Sequence, residues 1–377
     1  MMFDIYNDFK EKEKIAKLVS LISEELCDRN RKIKIMEICG GHTHSIMKYG
    51  LNKMLKDSVD FIHGPGCPVC VMPIARIDIA IYLSRLENVI LATYGDMMRV
   101  PGSKSSLIKE RGSGYDIRII YSPIDIIKLA KDNENKKIIF YAIGFETTTP
   151  MTAALIEQAK IEGIKNIYFY INHVLVPPPI EAILDSCDSE IDGFIGPGHV
   201  SVITGTEIYK NIADKYKKPV VISGFEPFDL LMSILMIAKQ INGGFSKIEI
   251  EYKRAVEEKG NKKAQDLIDK YFEVRDKFEW RGLGYIPKSA LRLKDKFKHI
   301  DAENLFEGYI SKNLNNDNQY NNKIIENETC KCGEILKGTL KPNKCPLFRK
   351  LCTPENPVGA CMVSQEGACA AYYKYYN

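Results

Sequence analysis

Eleven cysteines are distributed unevenly over the 377 residues. Cys330, Cys332, Cys345, Cys352, Cys361 and Cys369 crowd the last 48 residues, Cys39, Cys67 and Cys70 stand early, and Cys27 and Cys187 stand alone. In a reducing compartment, clustered thiols serve metals or redox chemistry more often than structural disulfides. The tail begins C-K-C, and gaps of twelve, six, eight and seven residues separate the cysteines that follow. It holds no histidine and no paired C-x(2–4)-C knuckles, which argues against a structural zinc. Six thiols also exceed the four that zinc or a cubane cluster takes, so four cluster ligands plus two redox thiols fit the count. An iron–sulfur site is the expectation for the tail.

The stretch H-G-P-G-C-P-V-C, residues 63–70, has the C-x-x-C spacing of dithiol oxidoreductases and of half a metal site. A helix starting just after Cys67 would favour its thiolate, which supports a reactive Cys67/Cys70 pair. A turn held by Gly and Pro with incidental cysteines is the bland alternative. C-G-G-H-T-H, residues 39–44, follows a strand end, where open α/β sheets gather their ligands. Cys39 offers a soft ligand or nucleophile, Gly40 and Gly41 allow close backbone approach, and His42 and His44 can exchange protons. The phosphate-loop pattern G-x-x-x-x-G-K-[ST] is missing, which weakens a zinc-stabilised nucleotide-binding reading. Further polar motifs sit at strand ends: G-F-E-T-T-T-P (144–150), I-N-H-V (171–174), G-P-G-H-V (196–200) and G-F-E-P-F-D (224–229). Helix capping competes with function for Glu146, Thr147 to Thr149, Glu226 and Asp229. His173 and His199 draw attention by their place at sheet edges. Asp96 and Arg99, beyond a strand in Y-G-D-M-M-R-V-P-G, form either a loop-locking ion pair or a partner-facing site.

The elements that must position these groups alternate between strand and helix. Residues 11–28 give an amphipathic helix with Ile15, Leu18, Leu21, Ile22 and Leu26 on one stripe. Strands are expected at 32–38, 59–64, 88–96, 117–123, 136–150, 194–203 and 220–231, several running into helices, so a parallel sheet with covered faces follows. K-I-I-F-Y-A-I-G-F-E-T-T-T-P resembles I-K-I-M-E-I-C-G-G-H-T-H-S, and F-I-G-P-G-H-V resembles F-I-H-G-P-G-C, which suggests two similar units. The expected fold is α/β: unit I over 30–125, with 220–240 returning to it; unit II over 126–219; and a mainly helical or irregular cysteine-rich iron–sulfur domain from 1–29 plus 241–377. Helices are expected at 250–259 and 262–277, and the Asn-rich 311–328 reads as an exposed loop or linker.

Composition narrows the function classes. Hydrophobic residues make up 45% and charged residues 27%, enough for ordinary cores, and the net charge is only +4. No basic block interleaved with aromatics occurs, so nucleic acid is a poor guess. No apolar run approaches the roughly 20 residues a bilayer needs, and the charged N-terminus lacks a signal-peptide pattern. The expectation is a soluble cytoplasmic protein without a membrane partner.

Taken in order along the chain, CGGHTH, GPGCPVC, YGDMMRVPG, GFETTTP, INHV, GPGHVS, GFEP-D and KPNKCPLFRKLCTPENPVGACMVSQEGACAAYY resemble the HypD family of hydrogenase maturation factors. The resemblance implies a scaffold for the Fe(CN)2CO group of [NiFe] hydrogenases, working with a small HypC partner. HypE would supply cyanide, with HypF upstream of it, and the hydrogenase large subunit would be served indirectly. It implies that Cys39 ligates iron with His42 beside it, and that Cys67 and Cys70 form a central dithiol. It also implies a [4Fe–4S] cluster in the tail, in a setting similar to ferredoxin:thioredoxin reductase. On that pattern Cys330, Cys345, Cys352 and Cys369 are the ligands and Cys332 and Cys361 the exchanging pair, though spacing leaves other partitions open. A thiol–disulfide oxidoreductase carrying the same cluster is the alternative function.

Overall fold

The structure is a computed structural model that describes residues 2–186, 190–320 and 329–376, with side chains for 12–186, 190–314 and 329–376. Cys187 and residues 321–328 of the Asn-rich stretch lie outside the described residues. Nine strands build two wholly parallel sheets: β1 (Ile33–Glu37), β2 (Val59–His63), β3 (Val89–Tyr94), β4 (Ile117–Ile120), β5 (Lys137–Gly144), β6 (Ile167–His173), β7 (Gly193–Pro197), β8 (Val220–Ser223) and β9 (Ile248–Ile250). The first sheet runs β2-β1-β7-β8-β9 and the second β4-β3-β5-β6. Their strands read as continuous apolar runs because both faces are covered; in β5 every residue after Lys137 is buried. The α/β class, the two parallel sheets and the irregular cysteine-rich tail are as the sequence led one to expect.

The chain divides between the sheets elsewhere than at residue 125. β3 and β4 stand with β5 and β6, not with β1 and β2, so the second sheet is the continuous stretch 89–173. The first sheet takes β1 and β2 and then recruits β7, which lies against β1 with Met36 opposite Phe194. Local pattern marks where strands are, whereas pairing over such sequence distances is decided by which apolar faces meet.

The N-terminal helix, Met2–Glu25, packs on the helix Pro227–Asn242. Leu18, Ile22 and Leu26 are buried there, each contributing on the order of 1.5–3 kcal/mol. Leu21, expected on the same stripe, is 37% exposed. The expected helix at 250–259 is instead the end of β9 followed by turns. The helix expected over 262–277 stops at Tyr271, and Phe272–Val274, Lys277–Trp280, Gly284–Pro287 and Leu291–Leu293 form two small antiparallel ladders. Of the Asn-rich stretch, residues up to Tyr320 continue a helix begun at Glu307.

The cysteine-rich tail lies across the C-terminal edge of the first sheet. Its last helix, Ala368–Tyr375, packs on the helix Gly40–Lys48, and its turn Ala360–Met362 packs on the short helix Pro68–Val71. Lys341 adds an ion pair to Asp60 at 2.8 Å. Among the described residues no helix is long and apolar enough to cross a membrane.

Candidate thiol–histidine site

Because β2, β1 and β7 are neighbours and parallel, the loops that follow them open on the same edge. β1, in the middle, leads to Cys39. β2, on one side, leads through Gly64-Pro-Gly66 to Cys67 and Cys70. β7, on the other, leads through Gly196-Pro-Gly198 to His199. The two similar Gly-Pro-Gly turns therefore flank one strand instead of occupying matching places in separate units. Gly66 is required by contact: a Cβ there would lie 2.4 Å from the Cys39 nitrogen and 2.5 Å from the Ile38 carbonyl carbon.

Cys39 caps the helix Gly40–Lys48, its Sγ accepting from the Gly41 N–H at 3.3 Å. The residue is 4% exposed, and the Sγ lies 3.9 Å from each ring nitrogen of His199. Burial pushes the Cys39 thiol well above its ordinary pKa, and the nearby Glu366 and Glu37 add to this. Such a sulfur keeps its proton until a bound cation displaces it. His42 is fully buried on the same helix, stacked 4.7 Å from the Phe225 ring, and neither of its ring nitrogens has a hydrogen-bond partner. Burial drives its pKa down to about 3, with the neighbouring His199 pushing the same way. Phe225 also lies 5.2 Å from His199, so one aromatic ring spaces the two imidazoles. His199 is exposed at the surface yet largely surrounded by protein, and desolvation lowers its pKa to about 4. His44 takes no part; its Nε2 bonds the Tyr375 hydroxyl at 3.0 Å.

Cys67 and Cys70 form a disulfide with their Cα atoms 5.2 Å apart, and both residues are buried. The Cys70 Sγ lies 3.8 Å from the Ala360 carbonyl oxygen, next to Cys361 in the tail. On the other flank Glu366 sits so close to Gly40 that a Cβ there would fall 2.1 Å from the Glu366 carbonyl oxygen. The tail thus touches both the Cys39 turn and the Cys67–Cys70 turn.

All six tail cysteines line one chamber, closed otherwise by Ile335, Leu347, Phe348, Gly359 and Met362. Cys332 and Cys361 approach to 2.8 Å between sulfurs. Burial pushes the Cys330 thiol up to about 12 and raises Cys369, while Cys361 is raised first by its bond with Cys332 and then by burial. Among the described residues no three His, Cys, Asp or Glu side chains converge as ligands of a single ion. A wall of thiols alone is the donor set that an iron–sulfur cluster would take. Cys330, Cys345, Cys352 and Cys369 are free thiols on that wall.

Other residues singled out in the sequence serve local structure. The Thr148 and Thr149 hydroxyls donate to the Phe145 carbonyl, each at 3.1 Å. Glu226 and Asp229 form a capping box, and Asp229 also pairs with Arg254. The His173 Nε2 bonds Thr152 at 2.9 Å. Asp96 and Arg99 do not pair with each other: Asp96 accepts from Ser364 at 2.7 Å, and Arg99 donates to the carbonyls of Pro354 and Val363, so this motif seats the tail. Glu146 is buried with Oε1 accepting from the Val176 N–H at 2.9 Å and Oε2 without a partner. The residues that sequence reasoning passed over at the Cys39 edge are Glu37, His63, Phe225, Glu366 and Tyr372. Glu37 carried a readable signal, being a carboxylate inside an apolar strand.

A family model described as the hydrogenase formation hypA family, HypD, matches residues 13–376. The hydrogenase maturation factor HypD of Azotobacter vinelandii is 47% identical over 375 residues, covering 98% of this chain and 96% of its own length. That of Rhodobacter capsulatus is 48% identical over 362 residues, covering 96% and 94%. That of Escherichia coli (strain K12) is 41% identical over 373 residues, covering 98% and 97%.

Proposed function

This chain belongs to the HypD family of hydrogenase maturation factors, and on that premise we propose that it is the scaffold on which the Fe(CN)2CO group of a [NiFe] hydrogenase is assembled. Iron is the cargo and Cys39 its ligand, a soft thiolate suited to an electron-rich metal, with His42 and His199 beside it. A small HypC-like protein binds alongside, HypE brings cyanide made with HypF, and the hydrogenase large subunit receives the product. The work is done in the cytoplasm.

Cys330, Cys345, Cys352 and Cys369 hold a [4Fe–4S] cluster in this reading. When bound, the cluster supplies single electrons to the neighbouring thiols. The chain's own part is thiol–disulfide exchange. The Cys361 thiolate attacks the Cys70 sulfur, and Cys67 leaves as thiolate and takes up a proton. Cys332 then attacks Cys361, releasing Cys70, which is protonated in turn. The Cys67–Cys70 pair ends as two thiols, and Cys332–Cys361 ends as the disulfide, two electrons having crossed.

The observation that supports this reading is the meeting of three thiol groups on one edge. The Gly66 backbone presses on Cys39, and the Cys70 Sγ lies 3.8 Å from the Ala360 carbonyl oxygen. The test is infrared spectroscopy and metal analysis of the anaerobic complex with its small partner. Cyanide and carbonyl bands are expected for the wild type and none for Cys39→Ala; bands that persist in the variant overturn the ligand assignment. The Cys67–Cys70 disulfide keeps a second reading in play, a reductase of other proteins' disulfides. Catalytic turnover of such disulfides without the small partner would favour it, and the burial of both cysteines opposes it.

A further inference from the structure

Three donors converge on the buried carboxylate of Glu37 at the end of β1. The Cys39 N–H donates to Oε2 at 3.0 Å, the His63 Nδ1 lies 2.7 Å from Oε1, and the Thr43 hydroxyl donates to Oε1 as well. The other ring nitrogen of His63 lies 3.1 Å from the Tyr372 hydroxyl, on the last helix of the tail. With Tyr372 donating to Nε2, His63 carries its proton on Nδ1 and donates to Glu37, so every polar atom along the line is satisfied. Glu37, His63 and Tyr372 are 1%, 3% and 6% exposed, and water does not compete for these bonds.

We propose that Glu37, His63 and Tyr372 are positioning residues that set the peptide of Cys39, and through it the direction of the thiol, according to how the last helix of the tail is seated. The arrangement is an outer-shell chain of the kind that orients metal ligands, but it acts on the ligand's backbone. Its far end is three residues from Cys369, a wall residue of the thiol chamber, so both thiol centres are anchored on one helix. The same helix makes a second tyrosine–histidine bond, Tyr375 to His44, which does not lead to Glu37. That bond is the natural control, because its loss perturbs helix docking without touching the chain to Cys39.

The proposal rests on Cys39 as the iron's ligand only for its consequence, and the primary test uses the full-length protein as isolated, without its partners and their iron cargo. Alkylation of Cys39 by iodoacetamide is followed by peptide mass spectrometry, with the exposed Cys27 as internal reference. Tyr372→Phe should raise the Cys39 rate about tenfold, the effect of loosening one buried bond in a charged chain, while Tyr375→Phe stays at the wild-type rate. His63→Asn, whose amide nitrogen takes the place of Nδ1 but leaves Tyr372 without a partner, should rise about as far as Tyr372→Phe, and His63→Leu, which also frees Glu37, should rise further. Unchanged rates in both Tyr372→Phe and His63→Leu, or equal rises in the two tyrosine variants, overturn the proposal whatever the iron's ligand is. In the iron-loaded complex, Tyr372→Phe should shift the cyanide bands and lower iron affinity by about tenfold. Bands and iron content identical to the wild type would overturn the consequence.

Discussion

At the end of β1 the chain runs Cys39-Gly-Gly-His-Thr-His, and at the end of β5 it runs Gly144-Phe-Glu-Thr-Thr-Thr; both pass from a buried strand through glycine into a helix. After β5 the two threonine hydroxyls are spent on their own turn, and one oxygen of Glu146 on the backbone after β6. Gly144 has φ 150°, and a Cβ there would fall 1.6 Å from the Thr148 hydroxyl oxygen. Thr148, Thr149 and Glu146 then bind backbone atoms nearby. After β1 the same kind of turn leaves the His42 imidazole without a partner and the Cys39 sulfur with only the Gly41 N–H, and the neighbouring strands bring a disulfide on one side and His199 on the other. Position among neighbours decides which copy of a local pattern can do chemistry.

The strongest way to break this comparison is at Cys39. Cys39→Ala should abolish every cyanide and carbonyl band, whereas Thr148→Val on the other edge should leave them in place. The tail separates next. Cys369→Ala should bleach the visible absorption of the proposed iron–sulfur cluster, and Cys332→Ala should retain it; bleaching by Cys332→Ala would break the division of the six thiols.

A smaller effect sharpens the second edge. Burial raises the Glu146 carboxyl from 4.5 to about 7. The folded state therefore holds this proton more tightly than the unfolded one, so the associated stability is full below about pH 4.5 and is lost as pH rises to about 7. Glu146→Gln should be more stable than the wild type at pH 8 by about 3 kcal/mol and no different at pH 4, by urea unfolding. Depressed histidines such as His173 act in the opposite direction, losing stability as pH falls from about 6.5 toward about 4, and the wild-type-minus-variant difference removes their common contribution. The smallest change expected is at Arg99→Ala, which removes bonds to two tail carbonyls. It should cost about 1 kcal/mol and speed proteolysis of the tail.

Much of the candidate site was legible because it is built from rare residue types at fixed spacing. Cys39, Cys67, Cys70 and the six tail cysteines stand out without any knowledge of the fold. The α/β class was legible from strand–helix alternation. The partition of the chain was not, since β3 and β7 carry the same apolar pattern and only packing tells which sheet each joins. The short strand Phe272–Val274 was hidden because it follows a charged helix directly, which made the segment read as the end of that helix. The role of Tyr372 was equally invisible, because a tyrosine in a Tyr-rich tail gives no sign that its partner is residue 63.

The convergence of distant thiols is the central claim, and trapping the exchange intermediate tests it most directly. In the double variant Cys67→Ser/Cys332→Ser each pair has lost its resolving partner, so mild oxidation should give a Cys70–Cys361 disulfide in nearly all molecules, seen as one cross-linked peptide by mass spectrometry. Two free sulfurs at residues 70 and 361 after oxidation, with the protein folded, would contradict the account.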